Sequence, residues 1–261
     1  MHQLTTPFPL AAPRTAVILA AGAGSRLLPH TAHAPKCLTT IGGHPILQYQ
    51  IAVLRECGID DLVIVVGYLR HCITQFAGDA ATYVDNPDFA STNSSHSLWL
   101  ARERLRGGYI HLNSDLLFEP DMLRALLASP HENAVVVQRT VRPASDMMKA
   151  RMDGSRIRQM GKQLTDGAVA EVIGPAKFGP SGAATLITAL DRLEAAGERN
   201  RWAYAVFGQL ADELSFTGVD NPGCFWAEVD TMADARDAER RLPSRLVARA
   251  AGWRRAAHSS I

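Results

Sequence analysis

The sequence predicts a Rossmann-like α/β fold: a doubly wound, mixed but mostly parallel sheet with helices on both faces and a small antiparallel lobe inserted late in the chain. Three observations carry this. Short apolar runs without alternation, such as Thr15 to Ala20 (TAVILA) and Leu62 to Val66 (LVIVV), read as strands buried on both faces. Stretches of helical period separate them. Beyond Arg139 the texture changes to shorter strand-like pieces set apart by glycines.

Residues 1–14 contain Pro7, Pro9 and Pro13 and read as an irregular arm. Thr15 to Ala20 is the first strand. From Pro45, apolar residues at Ile46, Leu47, Ile51, Leu54 and Cys57 form a helical stripe, with Gln50 as its polar exception and Gly58 as its stop. Leu62 to Val66 completes a strand–helix–strand unit. Strands follow at Ala81 to Val84, Tyr109 to Leu112 and Ala134 to Gln138, alternating with helices at Asn93 to Leu105 and Asp121 to Ala128. Such alternation places ligands at the carboxyl ends of strands. Met148 to Met152, Arg156 to Met160 and Val169 to Ile173 form the expected antiparallel lobe, at about 140–180. Helices at Ala183 to Ala195 and Arg201 to Leu214, a last strand at Phe225 to Val229 and a charged helix at Thr231 to Arg241 end a single domain over 15–241. The Arg-rich tail, 242–261, is expected to be a solvated or subunit-contacting helix, open to a role in a homodimer.

Composition narrows the partners. The 261 residues are 47% hydrophobic and 20% charged, which excludes disorder and fibrous architectures. With 27 Lys plus Arg against 26 Asp plus Glu, the net charge is +1, so neither nucleic acid nor a membrane surface is expected as a partner. No apolar stretch approaches the ~18 residues of a membrane span. The four cysteines are far apart, with no metal-ligand spacing, and fit a reducing cytoplasm.

The segment Leu19-Ala20-Ala21-Gly22-Ala23-Gly24-Ser25-Arg26 follows the first strand directly, and its small residues let backbone N–H groups surround phosphate oxygens. Leu27 stands where the dinucleotide and Walker loops would need glycine, so both fail on spacing. The pattern L-A-A-G-x-G-[ST]-R, followed by Pro35-Lys36, resembles the signature of the nucleotidyltransferase family that includes the sugar-phosphate pyrophosphorylases. That resemblance assigns the loop to nucleotide binding and Arg26 and Lys36 to catalysis. Arg26 offers a rigid fork for the β and γ phosphates, and Lys36 a point charge that follows the transferring group. Lysine is scarce here, with only four residues, Lys36, Lys149, Lys162 and Lys177, so each suggests a need for an ammonium.

Asp115 stands at the carboxyl end of a central strand, and Glu228 and Asp230 flank Val229 with the period that puts both on one face. Asp115 and Asp230, brought together, would hold one Mg²⁺. Both aspartates also suit helix N-caps.

From Val17 to about Arg240 the chain is similar to the bacterial phosphocholine cytidylyltransferase-like branch, which also contains inositol-phosphate and phosphonate cytidylyltransferases. The resemblance rests on Asn86-Pro87 with Thr92-Asn93 and Ser97-Leu98, on Asn113-Ser114-Asp115, on Asp146-Met147-Met148-Lys149 with Gly161-Lys162 and Lys177-Phe178, and on Glu228-Val229-Asp230. It implies that Asn93 and Ser97 lie near the cytidine, although both also suit N-capping. Asp146, Lys149, Lys162, Lys177, Trp202 and Glu228 are the expected acceptor residues. Choline-using relatives hold the ammonium with aromatic and acidic residues; here Trp202-Ala203-Tyr204-Ala205 keeps the aromatics without the acids. The resemblance thus implies Mg²⁺-dependent CMP transfer from CTP to a small anionic acceptor with release of pyrophosphate. Candidate acceptors are 2-hydroxyethylphosphonate, 2-aminoethylphosphonate, inositol phosphate and phosphocholine. A sugar-1-phosphate nucleotidyltransferase using another NTP, or a nucleotide-binding regulator without chemistry, are the alternatives.

Overall fold

The computed structural model describes residues 12–140, 142–164 and 166–258, with side chains up to Trp253. The arm expected over 1–14 falls, apart from 12–14, outside the described residues. In chain order the elements are β1 (Thr15–Ala20), the short hairpin β2 (Thr40–Ile41) and β3 (His44–Pro45), α1 (Ile46–Glu56), β4 (Asp61–Val66), α2 (Arg70–Ala77) and β5 (Thr82–Asp85). Then come α3 (Ser94–Leu100), β6 (Tyr109–Asn113), β7 (Leu116–Phe118), α4 (Pro120–Ala128), β8 (Ala134–Arg139), β9 (Met148–Asp153), β10 (Arg156–Gly161) and β11 (Ala170–Phe178). The chain ends with α5 (Pro180–Ala195), α6 (Ala203–Gln209), β12 (Thr217–Asp220), β13 (Trp226–Glu228), α7 (Met232–Arg241) and α8 (Ser244–His258).

Among the described residues, nine strands form one sheet in the order β5-β4-β1-β6-β11-β8-β12-β10-β9. The first four are parallel, as are β8 and β12, while β11 runs against both β6 and β8. The expected antiparallel lobe is therefore no separate layer. Its strands belong to the main sheet, and β11 lies at the centre. Between Val172 and Ala176, β11 advances four positions while its partner β8 advances two, from Val137 to Val135, so the chain bulges there.

Both sheet faces are covered, which explains the unbroken apolar runs. Ala16, Ile18 and Ala20 of β1 face a core completed by α1, α2, α4, α7 and α8, and Val17 and Leu19 face one completed by α3, α5 and α6. Helix α1 stops where its glycine predicts: Gly58 takes φ +78°, and Gly58 N and Ile59 N donate to Arg55 O and Leu54 O at 3.0 Å each. These paired bonds satisfy the last carbonyls of the helix.

The tail differs from expectation. Leu246, Ala250 and Trp253, spaced four and three apart, are buried against the α1 side. Gln48 donates to Ala250 O at 2.7 Å, and Arg245 and Arg249 pair with Glu119 and Glu56. Between the arginines runs a narrow apolar stripe, so Leu246, Ala250 and Trp253 are part of the core of their own chain. No described helix is long and apolar enough to cross a membrane.

Candidate active site

The parallel strands end at a cleft of about 410 Å³. The glycine loop forms one wall. Gly24 takes φ +61°, and a Cβ there would stand 2.8 Å from Lys36 Cβ, so the loop closes on the lysine only because residue 24 has no side chain. Thr31 Oγ1 donates to Gly24 O at 3.0 Å and holds the loop from behind. Leu19, Ala21, Gly22, Gly24, Ser25 and Arg26 line the cleft. Ala20 and Ala23, also expected there, do not: Ala20 packs into the core and Ala23 is exposed outside the wall.

Lys36 opens a short turn after Pro35, with Thr39 N donating to Lys36 O at 3.0 Å. Its ammonium lies 2.7 Å from Asp115 Oδ2 and also bonds Asp230 Oδ1. Arg26 Nη2 lies 2.8 Å from Asp230 Oδ2. Burial opposes the charge on Lys36, but Asp115 and Asp230 outweigh it and raise its pKa. Burial likewise opposes ionisation of Asp230, and Lys36 and then Arg26 overcome it and hold that pKa low. Glu228, which has no ion pair among the described residues, is pushed up to about 7, by burial first and then by Asp115 and Asp230, against the weaker pull of Lys36 and Lys162.

The fold fixes these carboxylates from several sides. Gln50, the polar exception on α1, donates to Asn113 O at 2.7 Å and Leu116 O at 2.9 Å, bracketing the turn that carries Asp115. Val229 N donates to Asp115 O at 3.0 Å. The last predicted strand pairs not with the main sheet but with β7, Glu228 opposite Leu116, which brings Glu228 and Asp230 beside Asp115. Neither aspartate is a helix cap. Thr231 caps α7 in a capping box with Asp234, and Asp230 N donates to the Asp234 carboxylate at 3.1 Å.

Oxygens of Asp115, Glu228 and Asp230 lie within 4.8 Å of one another. Asp115 Oδ1 is buried and has no hydrogen-bond partner among the described residues. An orphaned carboxylate oxygen in a hard-oxygen cluster fits a divalent cation.

Asn93 and Ser97 also line the cleft. Asn93 caps α3, its side chain accepting from Ser94 N at 2.8 Å, so capping and the cleft coexist at one residue. Ser97 lies within α3 and is bonded by Asn86 Nδ2 at 3.0 Å. Asn86, buried just past β5, also lines the cleft, and its place at a strand end is the sequence signal that marks it as a site residue. Asp146, Lys162 and Trp202 also line the cleft, with Tyr204, Gly174 and, from the carboxylate cluster, Glu228, and Lys162 Nζ lies 4.3 Å from the Trp202 ring centre.

Two lysines expected at the acceptor are not in the cleft. Lys149 turns back into the protein and donates to Ser145 O at 2.9 Å and Lys162 O at 2.6 Å. Lys177 pairs in register with Ile110 and Ala134, at the starts of β6 and β8, so antiparallel β11 carries it to the sheet end opposite the cleft. There it donates to Ser129 O at 2.7 Å, and burial lowers its pKa.

The family model of the MobA-like NTP transferase domain matches residues 16–200. The chain belongs to this family. Among its curated relatives, CMP-5'-(3-aminopropyl)phosphonate synthase of Streptomyces rubellomurinus is 35% identical over 90% of this chain and 40% of its own length. Choline-phosphate cytidylyltransferase of Streptococcus pneumoniae is 40% identical over 40% of this chain and 46% of its own. The matched part of the chain thus spans less than half the length of these two relatives. CTP:phosphoglutamine cytidylyltransferase of Campylobacter jejuni is 25% identical over 84% of this chain and 96% of its own. In structure, the CTP:phosphocholine cytidylyltransferase from Streptococcus pneumoniae superposes with TM-score 0.75 at 23% identity, covering 88% of this chain and all 100% of its own. The inositol-1-phosphate CTP transferase from T. maritima gives 0.72 at 21% identity over 93% of this chain and 96% of its own. These superpositions establish the nucleotidyltransferase fold expected from the sequence.

Proposed function

We propose that the protein transfers CMP from CTP to a small phosphonate or phosphate acceptor and releases pyrophosphate. The observation that carries this reading is the convergence of Lys36, Arg26 and three carboxylates under a glycine loop at the strand ends. An oxygen of the acceptor attacks the α-phosphorus of CTP in line; the bond to the bridging oxygen breaks, and pyrophosphate leaves with the electron pair. A general base is unnecessary, because the second pKa of a phosphate monoester is ~6 and the acceptor is already anionic near neutrality. The difficulty is repulsion between anions, so the work of the chain is to neutralise and align them.

Lys36 is the donor for the transferring group, and Arg26 the fork for the outgoing phosphates. Asp115 and Asp230, with Glu228 beside them, would hold Mg²⁺, which when bound supplies Lewis-acid neutralisation of phosphate oxygens. Asn93 and Ser97 form the cytidine wall. Asp146, Lys162, Trp202 and Glu228 form the acceptor end. An acceptor with an aminoalkyl tail is supported by the names of relatives such as the aminopropylphosphonate enzyme. It is supported too by the carboxylates of Asp146 and Glu228, which line the cleft without a protein hydrogen-bond partner among the described residues.

The test is pyrophosphate release with Mg²⁺ across four NTPs and four acceptors: 2-aminoethylphosphonate, 2-hydroxyethylphosphonate, inositol phosphate and phosphocholine. Turnover with CTP and a phosphonate is expected. Preference for another NTP with a sugar 1-phosphate would replace the reading, and CTP binding without turnover on any acceptor would make the protein a nucleotide-binding regulator.

A further inference from the structure

Lys149 and Glu171 are cross-strand neighbours, paired between β9 and β11. Their side chains reach the same loop with opposite polarity. Glu171 Oε1 accepts from Ala144 N at 2.6 Å, and Lys149 Nζ donates to Ser145 O at 2.9 Å, so consecutive residues are gripped by a carboxylate and an ammonium. The next residue, Asp146, lines the cleft. The same Lys149 ammonium donates to Lys162 O at 2.6 Å, and Lys162 lies over the Trp202 ring. One buried cation therefore fixes the backbone beneath two cleft residues that come from different loops. A lysine taken out of water to bond only carbonyls is costly unless its geometry is held, and here two carbonyls converge on it.

We propose that Lys149 and Glu171 are positioning residues for the acceptor: together they set Asp146 and Lys162 at the acceptor end and touch neither substrate. This rests on the cytidylyltransferase reading above for its kinetic readout. Among the described residues neither the Lys149 nor the Glu171 side chain bonds the glycine loop, so the nucleotide end is expected to be indifferent to both.

The test compares wild type, Lys149→Met, Glu171→Ala and Glu171→Gln, with CTP, Mg²⁺ and 2-aminoethylphosphonate as the probe acceptor. The acceptor KM is expected to rise about tenfold in Lys149→Met and Glu171→Ala, since small misplacements of binding groups are costly, while the Kd for CTP and kcat stay within about twofold. Glu171→Gln keeps an oxygen that accepts from Ala144 N and is expected to behave as wild type. An unchanged acceptor KM in Lys149→Met, or a CTP Kd that weakens in step with it, overturns the proposal. If Lys149→Met does not fold, the contrast between Glu171→Ala and Glu171→Gln decides in the same way. Should wild type turn over no acceptor, the functional reading fails on its own. Positioning is then read from hydrogen exchange, expected to quicken at 144–148 in both Lys149→Met and Glu171→Ala, and at 161–164 in Lys149→Met, but at 19–26 in neither; unchanged exchange at 144–148 in both overturns it.

Discussion

Lys36 Nζ lies 2.7 Å from Asp115 Oδ2, so the cation that follows the glycine loop is joined directly to the turn at the end of β6. The same ammonium bonds Asp230. Cation and carboxylates thus form one unit, and removing any member disturbs the others.

Lys36→Ala is expected to lower kcat by about 10² to 10³, the range for loss of a preorganised donor to a developing charge. CTP affinity changes much less, because Arg26 and the loop remain. Steady-state kinetics with a separate CTP titration checks this, and near-normal turnover would remove Lys36 from the mechanism.

Asp115→Asn and Asp230→Asn are each expected to weaken divalent-ion binding and to abolish metal-dependent activity. Mn²⁺ titration followed by electron paramagnetic resonance reads the first effect without any turnover. Unchanged Mn²⁺ affinity in both variants would place the ion elsewhere.

Gly24→Ala forces a side chain into left-handed backbone, at about 1–2 kcal/mol, and pushes its Cβ against Lys36. The expected outcome is a modest fall in thermal stability with a disproportionate fall in kcat. A fall in stability with normal kcat would show that the loop yields without moving the lysine.

His111 lies wholly inside the protein among Tyr109, Tyr204 and Phe207, and burial lowers its pKa from 6.5 to about 3. The unfolded chain binds this proton below pH 6.5 while the folded chain refuses it until about 3, so stability is full above 6.5 and falls as the pH drops through that window. At pH 5 the expected loss from this residue is about 2 kcal/mol. Urea unfolding at pH 7 and pH 5 checks it: His111→Leu is expected to lose less stability between the two than wild type does, and equal losses would contradict the assignment.

The first half of the fold was readable because its signals are local. TAVILA and LVIVV carry enough apolar surface to declare themselves, and Gly58 stops α1 whatever lies around it. Asp115 and Asp230 were readable because strand ends are where side chains leave the sheet. Lys149 and Lys177 were misjudged for the opposite reason. Scarcity marks all four lysines alike, but only register decides where each ammonium points, and the central place of antiparallel β11 leaves no trace in the sequence. Strand β12 (TGVD) was missed because Gly218 breaks its apolar run. A Cβ there would meet Met152 Cε at 2.5 Å, so a larger residue would make that flexible side chain shift. Helix α2 lacked an N-cap signal, as it begins after Leu69 in left-handed backbone at φ +45°.

The bulge in β11 brings Ile173 and Gly174 to the cleft, and Gly174 O accepts from the Tyr204 hydroxyl at 2.8 Å. Because the ladder with β8 resumes on both sides of the surplus residues, the sheet keeps its register while one face of the stretch opens on the cleft. The other face is tied to the interior, since Ile173 is buried in the core and a Cβ at Gly174 would stand 3.0 Å from Met122 Sδ, so the contour of the cleft at this point is inherited from the packing beneath it.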